Sequence, residues 1–333
     1  MSALQRAGIP VYEHAIRRFF DWRRPAPFLV SIARLALRIR TTRAQLVHVN
    51  EHEHYPVACR AAYLAGVPVV VHVRFRPEAA MCQWLFKEPY TPRRVFFTSR
   101  TQMRDSEEAV ASAVPKDRFR LIYNGLDFEA FGRDTAARQR LRAEWGVTEA
   151  TTVIGTASSI SPRKRIDHVI RSVAALAHSG LDVRGFIAGQ PYFPEDEQEL
   201  ARLRQLAMDL GVERQVTFLG YVEPAEPLYH AWDICISASS YETFGMTVLE
   251  AMACGCPVVA YPGGSVAEVL GDGGALVPDG DLGAMTDAIR TLACDRVALD
   301  RARQQARERA RNFDVCRSVE ALVEEYRAVL TGR

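Results

Sequence analysis

The sequence predicts an α/β protein of two Rossmann-like domains, because short β-branched runs alternate with amphipathic segments along its whole length. Two further observations agree. The 333 residues are more than one ordinary core fills, and strand signals stop between Asp127 and Trp145, where a charged stretch intervenes. We therefore expect a first domain over residues 1–130, a second over 131–316, and a cleft between the carboxyl ends of their strands.

The elements follow in order. Strand candidates in the first half are residues 8–12, 45–49, 68–73, 94–98 and 120–123. Between them, Phe28, Ile32, Leu35 and Ile39 share one helical face, and Val57, Ala61, Leu64 and Ala65 share another, closed by Gly66. Residues 1–7 resemble the tail of a helix capped by Gly8, as if the chain opened partway through a βα unit. In the second half, residues 152–156 predict a strand, followed by a helix with Ile166, Val169, Ile170, Val173 and Leu176 on one stripe. Strands at 183–188, 216–219, 233–238, 257–260 and 275–277 continue the sheet, with a helix at 199–210 ended by Gly211.

Composition excludes several classes. No apolar run approaches the ~18 residues of a membrane span, and no signal-peptide pattern opens the chain. Seven cysteines without CxxC spacing argue against a disulfide framework or zinc site and fit a reducing cytoplasm. A formal charge of +2 without any recognition motif speaks against nucleic acid. Residues 1–50 nevertheless carry nine arginines against Glu13 and Asp21, which suits peripheral contact with the inner face of an anionic membrane. Of 42 basic residues only Lys87, Lys116 and Lys164 are lysine, so a lysine inside a motif carries information.

The most specific stretch is residues 233–260, DICISASSYETFGMTVLEAMACGCPVVA. It reads as strand, loop, helix, glycine stop and strand. The loop delivers Phe244 and Gly245 to a helix start, where the amides of Gly245, Met246 and Thr247 and the helix dipole favour an anion. Glu242 precedes that site and Glu250 lies one turn inside the helix; ionised carboxylates there accept hydrogen bonds from sugar hydroxyls. A second motif, GTASSISPRKRID over residues 155–167, brings small polar residues and then Lys164 to the start of another helix, which suits a diphosphate.

Together, Glu242…Glu250 within ETFGMTVLEAMACGCPVV and the 155–167 motif resemble the family 4 glycosyltransferases, also called group 1, of GT-B fold. The segment from Tyr123 to Asp127 is similar to the family's Asn-Gly-Ile-Asp element, and Gly263, Gly264 and Glu268 to its later loops. The resemblance implies a retaining transferase that uses a nucleotide-sugar donor (UDP-, GDP- or similar) and neither cofactor nor metal. It also implies roles: Glu242 on the donor sugar, Glu250 on the ribose, and Phe244, Gly245, Met246 and Thr247 with Lys164 on the diphosphate. The sequence departs from the pattern twice. Ser159 stands where an arginine is usual and Arg165 where a glycine is usual, leaving Arg163 or Arg165 to replace the lost charge. The helix at 317–331 resembles the one that returns to the first domain, and the family's opening strand and glycine-rich loop are not matched.

For the acceptor side, Arg74 occupies the place where the family carries a histidine, and His72 sits two residues earlier on the same strand face. Glu51 and His54 lie in a loop after another strand and are candidates for acceptor hydroxyls; the run Glu51, His52, Glu53, His54 lacks an i, i+4 metal pair. The loops at 189–194 and 220–224 would shape the base and sugar pockets. The acceptor, whether glycan, lipid or small molecule, is not legible. The rival reading is a truncated or degenerate relative that binds a nucleotide sugar or a partner without transfer.

Overall fold

The computed structural model describes residues 7–13, 26–129, 131–132 and 134–332. It divides into two compact units, one of residues 1–98, 102–122 and 320–333, the other of residues 99–101 and 123–319. Residues 1–6, most of the expected opening helix tail, lie outside the described residues, as do Arg17, Arg18, Arg23 and Arg24 of the basic segment.

Unit 1 is built on four parallel strands, β1 (Val47–Val49), β2 (Val69–Val73), β3 (Arg94–Phe97) and β4 (Phe119–Leu121), in the order β1-β2-β3-β4. The helices of this unit are α1 (Ala26–Thr41), α2 (Tyr55–Ala65), α3 (Ala79–Leu85) and most of α4 (Arg100–Ala111). Every step goes the same way, so right-handed crossovers put the connecting helices on one face. There Val69, Val71, Val73, Val95 and Phe97 pack with Phe28, Ile32 and Ile39 of α1 and Val57, Ala58, Ala61 and Ala62 of α2. The alternate residues Val70, Phe96 and Ile122 meet Leu322, Tyr326 and Val329 of the C-terminal helix (Val315–Thr331), which covers the other face.

Two expectations need correction. Residues 8–12 form no strand: Gly8 is left-handed (φ 74°), Pro10 offers no amide, and Ile9, Val11 and Tyr12 are exposed. Leu64 faces solvent, because α2 turns Val57, Ala58, Ala61 and Ala62 inward instead.

Unit 2 contains six parallel strands in the order β10-β9-β8-β5-β6-β7: β5 (Thr152–Ala157), β6 (Val183–Ala188), β7 (Val216–Gly220), β8 (Ile234–Ser237), β9 (Val258–Ala260) and β10 (Gly274–Leu276). Strands are added outward in both directions from the β5–β8 pair, so helices cover both faces and two cores form. Neighbouring Val153 and Ile154 point into opposite cores.

The charged segment that interrupts the strand signals folds as α5 (Thr135–Glu144), and a second charged helix, α12 (Arg296–Ala310), lies near it. Both are tied down by Asp233 at the start of β8. Its carboxylate accepts from Arg138 (2.9 Å), Arg142 (3.1 Å), Arg303 (3.1 Å) and the amide of Val153 (2.9 Å). A buried carboxylate with several donors is stable, whereas removing its partners would strand a charge.

Candidate donor site at the strand reversal

In an open α/β sheet, the loops leaving neighbouring strands diverge where the strand order reverses, and that opens a crevice at the carboxyl ends. In unit 2 the reversal lies between β5 and β8, and both sequence motifs leave those two strands. After β5 the chain forms a short 3-10 turn, Pro162–Lys164, and enters α6 (Ile166–His178). After β8 it runs through Glu242 to Gly245, the cap of α9 (Met246–Ala253).

Each loop is fixed by glycines of the next strand's loop, a feature the motif reading missed. Gly264 is left-handed (φ 61°), and a Cβ there would lie 2.3 Å from the carbonyl oxygen of Glu242. Gly263 and Ser265 bracket the same residue, through Glu242 N to Gly263 O (3.3 Å) and Ser265 N to Glu242 O (2.8 Å). The glycine pair therefore holds Glu242 by close backbone approach. Gly189 does the same for the β5 loop: a Cβ would lie 1.7 Å from Ser158 O, while Ser158 N bonds Ala188 O.

The α9 start has the character of an anion site. Gly245 is left-handed (φ 95°) and no side chain caps the helix. The amides of Met246, Thr247 and Val248 precede the first helical bond, Leu249 N to Gly245 O (3.1 Å), and present their hydrogens outward. Thr247 ties this turn to β5 through its hydroxyl on Ala157 O (2.9 Å). Phe244 is buried between Tyr123 and Phe313 and serves as the anchor of the loop.

The charged residues meet across the reversal. Lys164 Nζ donates to Glu242 Oε1 at 2.5 Å, with both side chains largely buried. Arg163 is half-exposed; its guanidinium donates to Tyr241 O and stands 3.9 Å from Glu242 Oε2. Ser159 is half-buried in the β5 loop. Arg165 adopts the left-handed conformation (φ 47°, ψ 45°) for which glycine is suited, and its guanidinium is held by Asp279 (2.6 Å) and lies over the Tyr261 ring. That engagement leaves Arg163 as the arginine nearer Glu242.

Glu250 lies one turn into α9, half-buried, with Oε2 accepting from Tyr229 (2.8 Å). Burial raises its pKa above the usual carboxylate range, and the Tyr229 hydrogen bond opposes that rise. Glu268 is the opposite case. Burial pushes it up, but donations from the Tyr123 hydroxyl, Thr101 and the Arg100 amide outweigh burial and hold it low.

Unit 1 supplies a separate group of sequence-named residues. His72 is buried on β2, its Nδ1 bonded to His48 Nε2 (2.8 Å), and His48 Nδ1 meets the hydroxyl of Tyr326. Burial drives His72 down to about 3 and His48 to about 4, so both rings are neutral near pH 7. Arg74 donates to Asn50 Oδ1 from Nε (3.1 Å) and Nη2 (2.9 Å), and the charge of exposed Glu51 acts on it. His54 begins α2 without a side-chain cap. Among the described residues no group of three or more His, Cys, Asp or Glu could hold a metal, and no helix is long and apolar enough to cross a membrane.

Comparison with known proteins gives this geometry a family. Residues 137–313 match the family described as glycosyl transferases group 1. A D-inositol 3-phosphate glycosyltransferase of Saccharomonospora viridis is 30% identical over 310 residues, covering 84% of this chain and 70% of its own length. The enzyme of the same name from Corynebacterium glutamicum is 34% identical over 205 residues, 59% of this chain and 48% of its own. The chain thus spans about half to two thirds of such relatives. Among solved structures, Anabaena Alr3699/HepE in complex with UDP-glucose superposes with a TM-score of 0.84 at 23% identity, over 98% of this chain and 88% of that one. The fold is accordingly GT-B. Within that class, the chain belongs to the group 1 glycosyl transferases.

Proposed function

We propose that the chain is a retaining, metal-independent glycosyltransferase that moves a sugar from a nucleoside-diphosphate sugar to a small hydroxylated acceptor. The observation that carries this reading is the Lys164–Glu242 pair set beside the uncapped α9 start at the reversal of the unit 2 sheet. In this reading Lys164, Arg163, Ser159 and the amides from Gly245 to Thr247 bind the diphosphate. They stabilise the charge that grows on it as the glycosidic bond breaks. Glu242 accepts from the sugar and Glu250 from the ribose. The acceptor hydroxyl attacks the anomeric carbon from the side the diphosphate leaves and passes its proton to the departing phosphate oxygen as the sugar–phosphate bond breaks, so no enzyme nucleophile is needed.

Arg74, with Glu51 and His54, is our candidate set for acceptor contacts. His72, neutral above about pH 3, acts in this scheme by hydrogen bonding rather than as a charged acid. The curated relatives are named for D-inositol 3-phosphate and, in Bacillus anthracis, for L-malate, so anionic hydroxy compounds are the first acceptors to test. The outer surface of α1 supports membrane contact: it exposes Leu29, Val30 and Leu37 among Arg34, Arg38 and Arg40 with no acid in the helix.

The test is to incubate the protein with UDP- and GDP-sugars and these acceptors, following nucleoside diphosphate release and the anomeric configuration of the product. Retention with at least one pair, undiminished by a chelator, is expected. Inversion, or no release with any donor, would overturn the reading.

A further inference from the structure

Glu250 owes its orientation to a residue outside both sequence motifs. Tyr229 sits on α8 (Glu226–Ala231), fully buried, and is the only side chain that hydrogen-bonds the Glu250 carboxylate among the described residues. Its ring is fixed in turn. Trp232 stands edge-on to it (centroids 5.4 Å, 90°), and the Trp232 indole fills the space beside Gly155 of β5, where a Cβ would lie 1.9 Å from a ring carbon. Gly155, Trp232 and Tyr229 thus form a packed series that ends on Glu250 Oε2 and leaves Oε1 for a ligand.

We infer that Tyr229 is the positioning residue of the ribose subsite, holding one oxygen of Glu250 so that the other meets the ribose hydroxyls. The inference rests on the reading of Glu250 given above. The surroundings make the phenol necessary. Besides Tyr229, the groups that face the carboxylate are the thiols of Cys235 on β8 and Cys254 at the end of α9, both pushed well up by burial and therefore uncharged, with Glu226 acting on Cys254. The described residues supply no cation that acts on Glu250. A half-buried carboxylate with one donor depends on that donor for both its direction and its ionisation.

The experiment measures calorimetric affinity for UDP and GDP and for their 2′,3′-dideoxy forms between about pH 5 and about pH 8, a range chosen to bracket a raised carboxylate. The proteins are the full chain and its Glu250→Ala, Glu250→Gln and Tyr229→Phe variants. The wild type should prefer the ribo form by about tenfold, the scale of a charged hydrogen bond. The ratio of ribo to dideoxy affinity, in which titration of the shared diphosphate cancels, should fall as acid protonates Glu250, and this fall is the acid limb. Glu250→Ala should abolish the preference, and Glu250→Gln, which still accepts from Tyr229, should lose the acid limb.

Tyr229→Phe keeps the ring against Trp232. It should cut the preference several-fold and move the acid limb to higher pH, because the hydrogen bond that favours the carboxylate is gone, while dideoxy binding stays the same. If neither the wild type nor Glu250→Ala distinguishes the sugars, the ribose reading itself fails. If they do, but Tyr229→Phe keeps the full preference and limb or weakens both ligands equally, the positioning inference fails alone. An acid limb that persists in Glu250→Gln would count against the ribose reading itself, because another group would then carry it. If Tyr229→Phe does not fold, Trp232→Phe, which loosens the ring that Tyr229 stands against, decides: the ribo preference should drop, and a full preference would overturn the inference.

Discussion

Unit 1 adds its strands in one direction, whereas unit 2 grows outward both ways from β5 and β8. The consequences differ in kind. A reversing sheet has two loops that part at its centre, and unit 2 fills that gap with a cation, a carboxylate and an uncapped helix start. A one-way sheet has no such gap, but its crossovers leave one face bare. Unit 1 closes that face with the C-terminal helix, and its polar residues there, His48, His72 and Tyr326, bond to one another. Within the same α/β grammar, strand order separates loops that part around Lys164, Glu242 and the α9 start from a face whose polar groups bond to one another.

The sharpest way to break this contrast is Lys164→Ala. It should lower transfer by about 100-fold, the scale of losing a preorganised charge at a leaving group, and leave Glu242 with Arg163, 3.9 Å away, in place of its direct hydrogen bond. Rates of diphosphate release measure this, and a loss under tenfold would remove the reversal from its assigned role. Next in size is Gly264→Ala, which forces a side chain against the Glu242 carbonyl in a left-handed conformation. About 1–3 kcal/mol of stability should be lost, together with donor affinity, as read by thermal melting and calorimetry.

The third prediction tests unit 1. Both histidines titrate lower in the fold than in an unfolded chain, where the ring protonates near 6.5. Below that pH the unfolded chain binds more protons, so the stability from neutral rings, complete above about 6.5, declines as pH falls towards about 4. Melting temperature against pH should fall over this window, and His72→Gln should flatten the fall without changing nucleotide affinity. A matching loss of nucleotide affinity would break the contrast drawn between the two sheets. Smallest is Arg165→Gly. Relief of the left-handed strain and loss of the Asp279 ion pair oppose each other, so stability should move by less than about 1 kcal/mol in a melting experiment.

What the sequence made legible was local. The run from Asp233 to Ala260 encodes strand, helix start and glycine stop within a few turns, so these elements could be read directly. The stripe Ile166, Val169, Ile170, Val173, Leu176 likewise declared a buried helix. What was hidden depends on pairings far apart in the chain. Lys164 meets Glu242 across 78 positions, and Tyr326 meets His48 across 278. The charged α5 read only as a break between domains, because its Arg138 and Arg142 are satisfied by Asp233, which no periodicity announces. Residues 8–12 alternate like a strand, yet no partner strand is at hand among the described residues. Arg165 shows the limit of motif reasoning: the glycine it replaces serves a backbone angle, and the arginine meets that angle while its charge goes elsewhere.

On the proposed donor assignment, the Lys164–Glu242 pair would also bear on selectivity against the phosphates that crowd any cell. With lysine and glutamate already neutralising each other, a bare anion must separate them and gives the carboxylate nothing in exchange. A nucleotide sugar brings an anion for the lysine and hydroxyls for the glutamate in one molecule, so both partners are re-engaged at once. In that assignment the resting contact would act as a lock with two wards, opened by a ligand that carries both chemistries at the right separation and resisted by inorganic phosphate, which carries one.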